Sequence, residues 1–370
     1  MESWFRWGLA DLTGLPDGPP TAPAEPAAGR IGALLACLPG LDVDPAGVLA
    51  DRAMLHGWRR RGRISVNGTC RLLRAADGWV AVNLSRPADV ELLPALLEAE
   101  VGSDPWAVLT AAAADRPAEA LVGRAQLLGI PAAVAGSERE LPPLRRHVLG
   151  EASRMPDAPL VLDLSAMWAG PLCAHLLGRA GAQVVKVEDV RRPDGARFGP
   201  AAFYEELHAG HAGVVVDFAT AEGRAALAAL AAEADVVIES SRPRALARLG
   251  LRAEEWLAAC SGRIWISITG YGRADPGQRV AFGDDAAVAG GLVASAPDGT
   301  PVFCGDAIAD PLTGLLAAAA GLASWRAGGG QLVDVAMAGV AGWVAAPGDG
   351  PWYAHVRDEA GGLRHEDASC

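Results

Sequence analysis

Short apolar strands alternate with helices from residue 158 to residue 345 of this 370-residue chain. Strands that are buried on both faces and joined by helices build a parallel sheet with helices on each side. The pattern therefore predicts a Rossmann-like, doubly wound parallel α/β sheet, with ligands bound beyond the carboxyl ends of the strands. The predicted strands are 160–164, 184–187, 214–217, 236–239, 264–268 and 332–335, and the predicted helices are 171–180, 221–232, 243–249, 253–260 and 311–326.

The first part of the chain is organised differently. Residues 14–29 are rich in proline, glycine and alanine, which is typical of an extended linker. Asp77-Gly78 lies between two apolar runs and predicts a hairpin with a two-residue turn. Residues 136–157 are polar and predict a second linker. We therefore expect a smaller α+β domain placed N-terminally, and four parts in all: an N-terminal arm, linker and helical segment (1–61), the small domain (62–140), the large α/β domain (158–345) and a tail (346–370).

Charge and composition narrow the classes of function. The net charge of −12, from 32 basic and 44 acidic residues, argues against general nucleic-acid binding, which requires a positive surface. The longest apolar run, near 315–323, is too short to span a bilayer, and the first residues lack the basic and apolar regions of a signal peptide. The six cysteines have no metal-ligand spacing. We expect a cytoplasmic protein that binds no metal, nucleic acid or membrane.

Three segments offer groups that could carry chemistry. In VLDLSAMWAGPLCAHLLG (161–178), a turn with free backbone N–H groups precedes a helix and suits an anion. In GDAIADPLTGLL (305–316), Asp310 heads a long helix, where an aspartate is a good N-cap and where the helix dipole favours the ionised, nucleophilic carboxylate. The glycines of AGGGQLVDVAM (327–337) either cradle an oxyanion or form a turn. By pattern alone, a purely structural role is favoured for each segment: a connection between strand and helix for the first, an N-cap for Asp310, and a turn for the three glycines.

These segments resemble, in order, blocks of the family III CoA-transferases, the group of formyl-CoA transferase, carnitine CoA-transferase and alpha-methylacyl-CoA racemase. The matching blocks are VLDLSAMWAGP, AGAQVVKVE, VVVDFATAEGRAAL, ADVVIESSRPRALARLGL, RIWISITGYG, PVFCGDAIADPLTGLLAA and GGGQLVDVAM. Residues 77–135 resemble the family's small domain, which follows the large one in typical members. GLADLTGLPDGPP near the N-terminus is similar to residues 291–301. The resemblance implies a rearranged chain, or a fused duplication that lost its ends.

The resemblance implies a function and a site for the large domain. The large domain is then a CoA-binding domain, its substrate is an acyl-CoA, and Asp310 is the aspartate that such transferases acylate. The resemblance places the CoA-contacting positions at Met167, Trp168, Ala169, Ser240, Ser241, Arg242 and Arg248.

Several positions depart from the family pattern. His211, Ala212 and Gly213 replace a basic stretch, Asp189 stands where some members carry arginine, and Trp168 replaces a glutamine. Among nearby residues, Arg191, Arg192 and Arg197 are candidates to compensate.

Three functions remain open at this point. The first is CoA transfer to a carboxylic acid through an aspartyl acyl-anhydride. The second is racemase or isomerase chemistry on an acyl-CoA, for which the only nearby histidines in sequence are His208 and His211, because Phe282-Gly283-Asp284-Asp285 lacks one. The third is a non-catalytic or accessory paralogue. We also expect a homodimer, because so much apolar surface would otherwise lack a partner.

Overall fold

The structure is a computed structural model that describes residues 1–38 and 40–347. Its strands are β1 (Cys70–Arg74), β2 (Trp79–Asn83), β3 (Ala132–Val134), β4 (Leu144–Val148), β5 (Leu160–Asp163), β6 (Gln183–Asp189), β7 (Ala212–Val216), β8 (Val236–Glu239), β9 (Ile264–Thr269), β10 (Ala294–Ser295), β11 (Pro301–Val302) and β12 (Gln331–Ala336).

The helices that precede the large sheet are α1 (Glu2–Arg6), α2 (Ala27–Ala36), α3 (Pro45–Leu49), α4 (Asp51–His56), α5 (Pro87–Glu91), α6 (Leu93–Leu97), α7 (Pro105–Ala114) and α8 (Ala118–Leu128). Those that follow are α9 (Ala169–Arg179), α10 (Ala201–Leu207), α11 (Ala221–Glu233), α12 (Pro243–Arg248), α13 (Ala253–Ala259), α14 (Gly283–Gly290), α15 (Ala309–Arg326) and α16 (Met337–Ala345). Short 3₁₀ helices cover Leu9–Leu12 and Gly195–Phe198.

The large sheet has the order β4-β12-β9-β8-β5-β6-β7. All neighbouring pairs are parallel except β4 with β12. Helices α9 and α15 pack together and against one face of the sheet, and apolar residues of α11 and α13, such as Leu227 and Trp256, are buried against the other. The predicted doubly wound α/β sheet is therefore confirmed.

A smaller antiparallel sheet, β1-β2-β3, precedes the large one. Helices α7 and α8 contribute Leu109 and Leu121 to the core on one of its faces. Helix α14 packs against β2 and β3, so this sheet also contacts the large α/β unit. A small α+β unit placed N-terminally is thus present, as the sequence predicts. The boundaries of the four predicted domains stay a prediction.

Two local expectations need correction, and a third lies outside the described residues. Residues 136–157, predicted as a linker, contain the edge strand β4. The hairpin joins β1 and β2 through four residues, 75–78, because Arg74 pairs with Trp79. Most of the predicted tail, residues 348–370, lies outside the described residues.

Gly328, Gly329 and Gly330 have φ values of 92°, 70° and 75°, a left-handed conformation that glycine adopts without steric cost. The Gly330 carbonyl oxygen accepts hydrogen bonds from the backbone N–H groups of Leu149 and Gly150, which follow β4. These glycines lie at the amino end of β12, opposite the edge at which ligands bind in this class of fold. They form a turn, which is the role that the pattern favours.

No helix in the described part of the chain is both long enough and apolar enough to cross a membrane. Within the same residues, no group of three or more histidine, cysteine, aspartate or glutamate side chains is arranged to hold a metal ion.

Candidate active site

Asp310 lies inside the first turn of α15 rather than at its N-cap. The helix begins at Ala309, and the N-cap residue, Ile308, makes no side-chain capping bond. The Oδ2 atom of Asp310 accepts a hydrogen bond of 3.1 Å from the backbone N–H of Gly283, the first residue of α14. The N-cap role is therefore wrong, and this carboxylate instead satisfies one of the free N–H groups at the start of a different helix.

Three further aspartates surround this position. Asp284 and Asp285 belong to the first turn of α14, and Asp306 lies in the turn before α15. Their exposed fractions are 2%, 0% and 0%, whereas Asp310 is only partly buried. Of these four residues, Asp310 is thus the least buried.

Arg52 of α4 supplies a positive charge to this group of aspartates. Its Nε and Nη2 atoms donate hydrogen bonds of 2.7 and 2.6 Å to the two carboxylate oxygens of Asp306. Its guanidinium also lies over the indole ring of Trp168, 4.7 Å from the ring centroid. Arg52 therefore joins the turn before α15 to the predicted CoA loop. Sequence analysis missed it, since nothing local marks an arginine so distant along the chain.

The small N-terminal unit provides polar partners for the aspartates of α14. Asn67 Nδ2 donates to Asp284 Oδ2 at 3.1 Å, and Asn83 Nδ2 donates to Asp285 Oδ1 at the same distance. Asp284 Oδ1 also accepts from the backbone N–H of Ala307 at 3.0 Å. These bonds fix the loop around Asp306 and Asp310 relative to β1 and β2.

Burial raises the pKa of three of these aspartates far above the ordinary value. The pKa of Asp284 rises to about 7, that of Asp285 to about 8 and that of Asp310 to about 7. For Asp310, the positive charge of Arg52 opposes the effect of burial, and the negative charges of Asp284 and Asp306 add to it. The expectation that the helix dipole keeps Asp310 fully ionised is therefore too simple: its pKa lies close to neutrality.

The raised pKa values of these aspartates predict a loss of stability as pH rises. An aspartate of the unfolded chain titrates near 3.9, so between about pH 4 and pH 8 these three carboxyl groups bind more protons in the folded protein than in the unfolded one. Their contribution to the free energy of unfolding should therefore decrease across this range, whereas His211, whose pKa burial lowers to about 4, contributes in the opposite sense. Asp285→Asn keeps the acceptor oxygen for Asn83 but removes the charge. We expect it to raise the free energy of unfolding at pH 8 by about 1–3 kcal/mol.

Urea unfolding followed between pH 4 and pH 8 measures this effect. Asp157→Asn is the matched control, because the side chain of Asp157 is 97% exposed. It should reproduce the wild-type dependence, whereas Asp285→Asn should become more stable relative to the wild type as pH rises. A curve for Asp285→Asn that runs parallel to the wild-type curve would contradict the assigned pKa.

The loop before α9 is held in a strained conformation. Met167 has a φ of 74°, which is uncommon for a residue other than glycine and is typical of functional loops. Its backbone N–H donates to Asp194 Oδ1 at 2.9 Å. Asp194 in turn pairs with the buried Lys186, whose Nζ lies 3.0 Å from Asp194 Oδ2 and 3.4 Å from Asp163 Oδ2. This buried network stabilises the strained loop.

Trp168 and Ala169 follow directly and lie against the Asp310 helix. The Trp168 side chain is 2% exposed and packs edge-to-face on Phe203, with ring centroids 5.2 Å apart. A Cβ atom on Gly314 of α15 would lie 2.8 Å from the Ala169 carbonyl oxygen, so α9 and α15 are in close contact here. The structure thus brings Met167, Trp168 and Ala169 beside the turn that carries Asp306 and Asp310.

Ser240, Ser241, Arg242 and Arg248 follow the carboxyl end of β8. Ser240 Oγ accepts a hydrogen bond of 3.2 Å from the Ala166 backbone N–H, which places this segment beside the same loop. Ser241 Oγ has no hydrogen-bond partner among the described residues. This oxygen is buried, so a ligand could reach it only if the segment moved.

A group of arginines surrounds Arg242. Partial burial, followed by the positive charges of its neighbours, lowers the pKa of Arg242. Those neighbours are Arg244, Arg86, Arg192 and Arg248. Of these, Arg86 pairs with Asp89, but Arg192, Arg242, Arg244 and Arg248 form no salt bridge within the described residues. Arg244 was missed by sequence analysis, although it belongs to the same Arg-Pro-Arg stretch.

The three arginines considered as compensating residues have different partners. Arg191 pairs with Asp217 at 3.1 Å, and Arg197 pairs with Glu188 at 2.6 Å. Although partial burial raises the pKa of Glu188, hydrogen bonds from Arg197, the Asp194 backbone and Tyr204, with the charge of Arg197, together outweigh it and lower the pKa to about 2, so this second pair stays fully charged. Of the three, only Arg192 joins the unpaired arginines beside Arg242.

His208 and His211 lie away from Asp310. The Nε2 atom of His211 would be 3.4 Å from a Cβ atom on Gly178, near the carboxyl end of α9. Gly178 lies about 14 Å along that helix from Ala169, at the end beside the Asp310 turn. His208 stacks on Tyr204. The structure therefore brings neither histidine to the aspartate.

Comparison with known proteins gives a consistent result for the large domain. The sequence model of CoA-transferase family III matches residues 159–368. The chain is 33% identical to succinyl-CoA--D-citramalate CoA-transferase of Chloroflexus aurantiacus, over 50% of this chain and 51% of that protein. It is 35% identical to succinate--glutarate CoA-transferase of Agrobacterium fabrum, over 50% of this chain and 52% of that protein.

Among solved structures, a CaiB/BaiF family protein of Brucella suis is 32% identical over 55% of this chain and 58% of that one, with a TM-score of 0.48. The chain spans about half the length of the curated relatives that it matches. Because the family model covers more than half of the chain, the protein belongs to CoA-transferase family III.

Proposed function

We propose that this protein transfers CoA from an acyl-CoA to a carboxylic acid, with the carboxylate of Asp310 as the nucleophile. Membership of CoA-transferase family III supports the reaction class. The observation that carries the assignment is the position of Asp310: it is the partly exposed member of an otherwise buried group of aspartates. Its Oδ2 is held by the Gly283 N–H, while Oδ1 has no hydrogen bond within the described residues.

The first half of the proposed reaction consists of two acyl transfers. An oxygen of Asp310 attacks the thioester carbonyl carbon, the carbon–sulfur bond breaks, and the CoA thiolate leaves, giving a mixed anhydride. The thiolate then attacks the Asp310 acyl carbon, which releases the donor acid and leaves an aspartyl-CoA thioester. The positive charge of Arg52 favours the ionised form of Asp310 that the first attack requires.

The second half repeats these steps in reverse with the acceptor acid. Its carboxylate attacks the aspartyl thioester, and the CoA thiolate leaves again. The thiolate then attacks the acceptor's acyl carbon, which forms the new acyl-CoA and returns the Asp310 carboxylate. No proton is consumed overall, so the site needs no general acid.

The unpaired arginines beside β8 are suited to hold the phosphates of CoA. Arg192, Arg242, Arg244 and Arg248 carry four positive charges without carboxylate partners in the described residues. Guanidinium groups bind phosphate through paired, charge-assisted hydrogen bonds. Ser240 is bonded to the Ala166 N–H of the loop before α9 and lies two residues before Arg242, so the pantetheine arm would run past this segment toward Asp310.

The arginine group gives a direct prediction. Arg242→Ala should raise the dissociation constant for CoA about tenfold, because it removes a charged phosphate contact worth about 1.4 kcal/mol. Arg191→Ala is the matched control, since Arg191 is already paired with Asp217, and its affinity should stay near wild type. Calorimetry with CoA at two salt concentrations measures both. Equal affinities for the two variants would contradict the phosphate site.

The geometry does not favour the isomerase alternative. A racemase needs a second acid–base group opposite the aspartate, and the two candidate histidines lie at the far end of α9. A non-catalytic paralogue would leave the strained Met167 loop and the partly buried Asp310 beside it without a use. A homodimer and a cytoplasmic location stay predictions from the sequence.

Covalent labelling tests the proposed mechanism. The protein is incubated with succinyl-CoA, treated with hydroxylamine and digested, and the peptide that carries Asp310 is analysed by mass spectrometry. We expect an aspartyl hydroxamate at this residue, and more of it at pH 8 than at pH 6, because Asp310 ionises near pH 7. A panel of acyl-CoA donors replaces succinyl-CoA if that donor does not react. Absence of modification with every donor would overturn the proposal.

A further inference from the structure

A small cavity lies beyond the carboxyl ends of β9 and β12, apart from the turn that carries Asp310. Its wall comes from three places: the start of β4 with the residues before it, the segment 271–279 after β9, and the end of β12. Its volume is about 210 Å³, which is below the range of about 300–1,000 Å³ typical of pockets for drug-sized ligands. Ligands bind at this edge of the sheet in folds of this class. The cavity therefore has the position and the size of a site for a small molecule.

Tyr271 lines this cavity with a hydroxyl group that has no partner. The residue is only 4% exposed, and its hydroxyl makes no hydrogen bond within the described residues. The oxygen keeps some accessible surface, so it opens on the cavity. The guanidinium of Arg279 lies over the ring, 3.8 Å from its centroid, and fixes the position of the ring. Because a tyrosine in such a buried position usually has a hydrogen-bond partner, a ligand in the cavity would satisfy this hydroxyl.

Arg145 supplies an unpaired positive charge at the mouth of the cavity. It lies opposite Asp334 in the antiparallel pair of β4 and β12, so the two side chains share one face of the sheet. Both residues line the cavity, yet no salt bridge joins them, and Arg145 has no hydrogen bond within the described part of the chain. A guanidinium binds a carboxylate through two parallel hydrogen bonds. Arg145 is therefore suited to hold the carboxylate of a ligand.

Asp334 supplies acceptor oxygens next to these two donors. Its Oδ1 and Oδ2 atoms accept hydrogen bonds of 3.0 and 3.1 Å from the backbone N–H of Arg273. Each carboxylate oxygen has a further lone pair, which can accept a hydrogen bond from a ligand. A second carboxylate placed against Asp334 would be repelled, whereas a hydroxyl group would donate to it. The wall therefore favours a ligand with one carboxylate and one hydroxyl group at this end.

The segment 271–279 is held in place without a ligand. Arg273 Nη1 donates to Glu239 Oε1 at 2.6 Å. Arg279 Nη1 donates to Glu138 Oε1 at 2.7 Å, and its Nε donates to Asp275 Oδ1 at 3.0 Å. These pairs occupy the other arginines of the segment, and they form the wall before a ligand arrives. A preformed site loses less conformational entropy on binding, which favours affinity for a small ligand.

We propose that this cavity binds a small hydroxycarboxylic acid, at a site separate from Asp310. The carboxylate of the acid pairs with the guanidinium of Arg145. Its hydroxyl group accepts a hydrogen bond from Tyr271 and donates one to Asp334, and apolar residues of the wall, such as Leu141, contact its carbon atoms. The binding does not depend on the reaction that Asp310 performs.

Calorimetry on the full-length protein without CoA tests this site. Glycolate, L-malate and 3-hydroxybutyrate are titrated separately, and we expect at least one of them to bind with a dissociation constant in the millimolar range or below. Tyr271→Phe keeps the ring under Arg279 and removes only the hydroxyl, so it should raise that constant about fivefold. Arg145→Ala should raise it about tenfold, because the contact is charged. Succinate, which lacks the hydroxyl of L-malate, should bind equally to the wild type and to Tyr271→Phe.

Two control variants locate the bound acid. Arg154→Ala removes an arginine whose side chain is 89% exposed, and its affinity should equal that of the wild type. Asp310→Ala should also bind the acid normally, and melting temperatures confirm that each variant is folded. Three results would each overturn the proposal: no binding of any of the three hydroxy acids, wild-type affinity in a folded Tyr271→Phe protein, or loss of binding in Asp310→Ala, which would place the acid at Asp310.

Discussion

Replacing Asp310 with asparagine is expected to reduce CoA transfer by about a thousandfold or more while the protein stays folded. An amide is too weak a nucleophile to form the anhydride, so the first step of the reaction is lost. The hydrogen bond from Gly283 N–H should persist, because the amide oxygen can accept it. Stability at pH 8 should stay equal or rise, since a buried negative charge is removed. Transfer rate, melting temperature and CoA affinity measure these effects.

Asp310→Ala separates the chemical role from the structural one. It should lose activity to the same extent, but it should also lose about 1 kcal/mol of stability, because the Gly283 N–H is left without its acceptor. CoA affinity should survive in both variants, since the arginines that would hold the phosphates follow β6 and β8, and not the turn that carries Asp310. Full transferase activity in the Asp310→Asn variant would contradict an aspartyl intermediate.

Replacing Gly283 with alanine, which adds a single methyl group, should also reduce CoA transfer strongly. A Cβ atom on this residue would lie 2.2 Å from the carbonyl oxygen of Ala307 and 2.3 Å from Asp310 Oδ2. Neither the Ala307 backbone nor the hydrogen-bonded Asp310 carboxylate can make room for this atom unless the turn before α15 moves. We expect Gly283→Ala to cost about 3 kcal/mol of stability. Transfer should fall about a hundredfold, because small displacements of catalytic groups are costly.

Gly123→Ala is the control for this substitution. Gly123 also lies in a helix, α8, but nothing is within 4 Å of the added Cβ atom. Alanine has the higher helix propensity, so this variant should gain about 0.5–1 kcal/mol without a change in activity. Denaturant unfolding and transfer assays on both variants measure the contrast. A Gly283→Ala protein with wild-type activity would show that Asp310 tolerates a different position.

The strands of the large sheet could be predicted because they are short, apolar and separated by glycine or polar turns. Helix α14 could not, since every one of its eight residues is buried. A helix that is surrounded by protein on all sides has no polar face, and so the 3.6-residue period that marks a helix is absent. Strand β4 was missed for the opposite reason: it is an edge strand, and its polar residues Arg145 and His147 face solvent.

The candidate site was predictable in part. The resemblance pointed to Asp310 and the Met167–Ala169 loop, and the fold brings them together. The charge state of Asp310 could not be predicted, because it depends on Arg52, Asp284 and Asp306, which only the tertiary structure places nearby. The same holds for Asn67 and Asn83, whose importance comes from contacts more than two hundred residues away along the chain.

The buried position of the only lysine has a chemical consequence. Lys186 is 2% exposed and held between two carboxylates. Thioesters of CoA acylate accessible lysine amines spontaneously, and a protein that repeatedly handles such reagents is exposed to this damage. In this protein arginine, which does not react in this way, supplies all 31 other basic residues of the 32. The folded surface therefore presents no lysine amine that an acyl-CoA could acylate. No lysine competes with Asp310 for the acyl group.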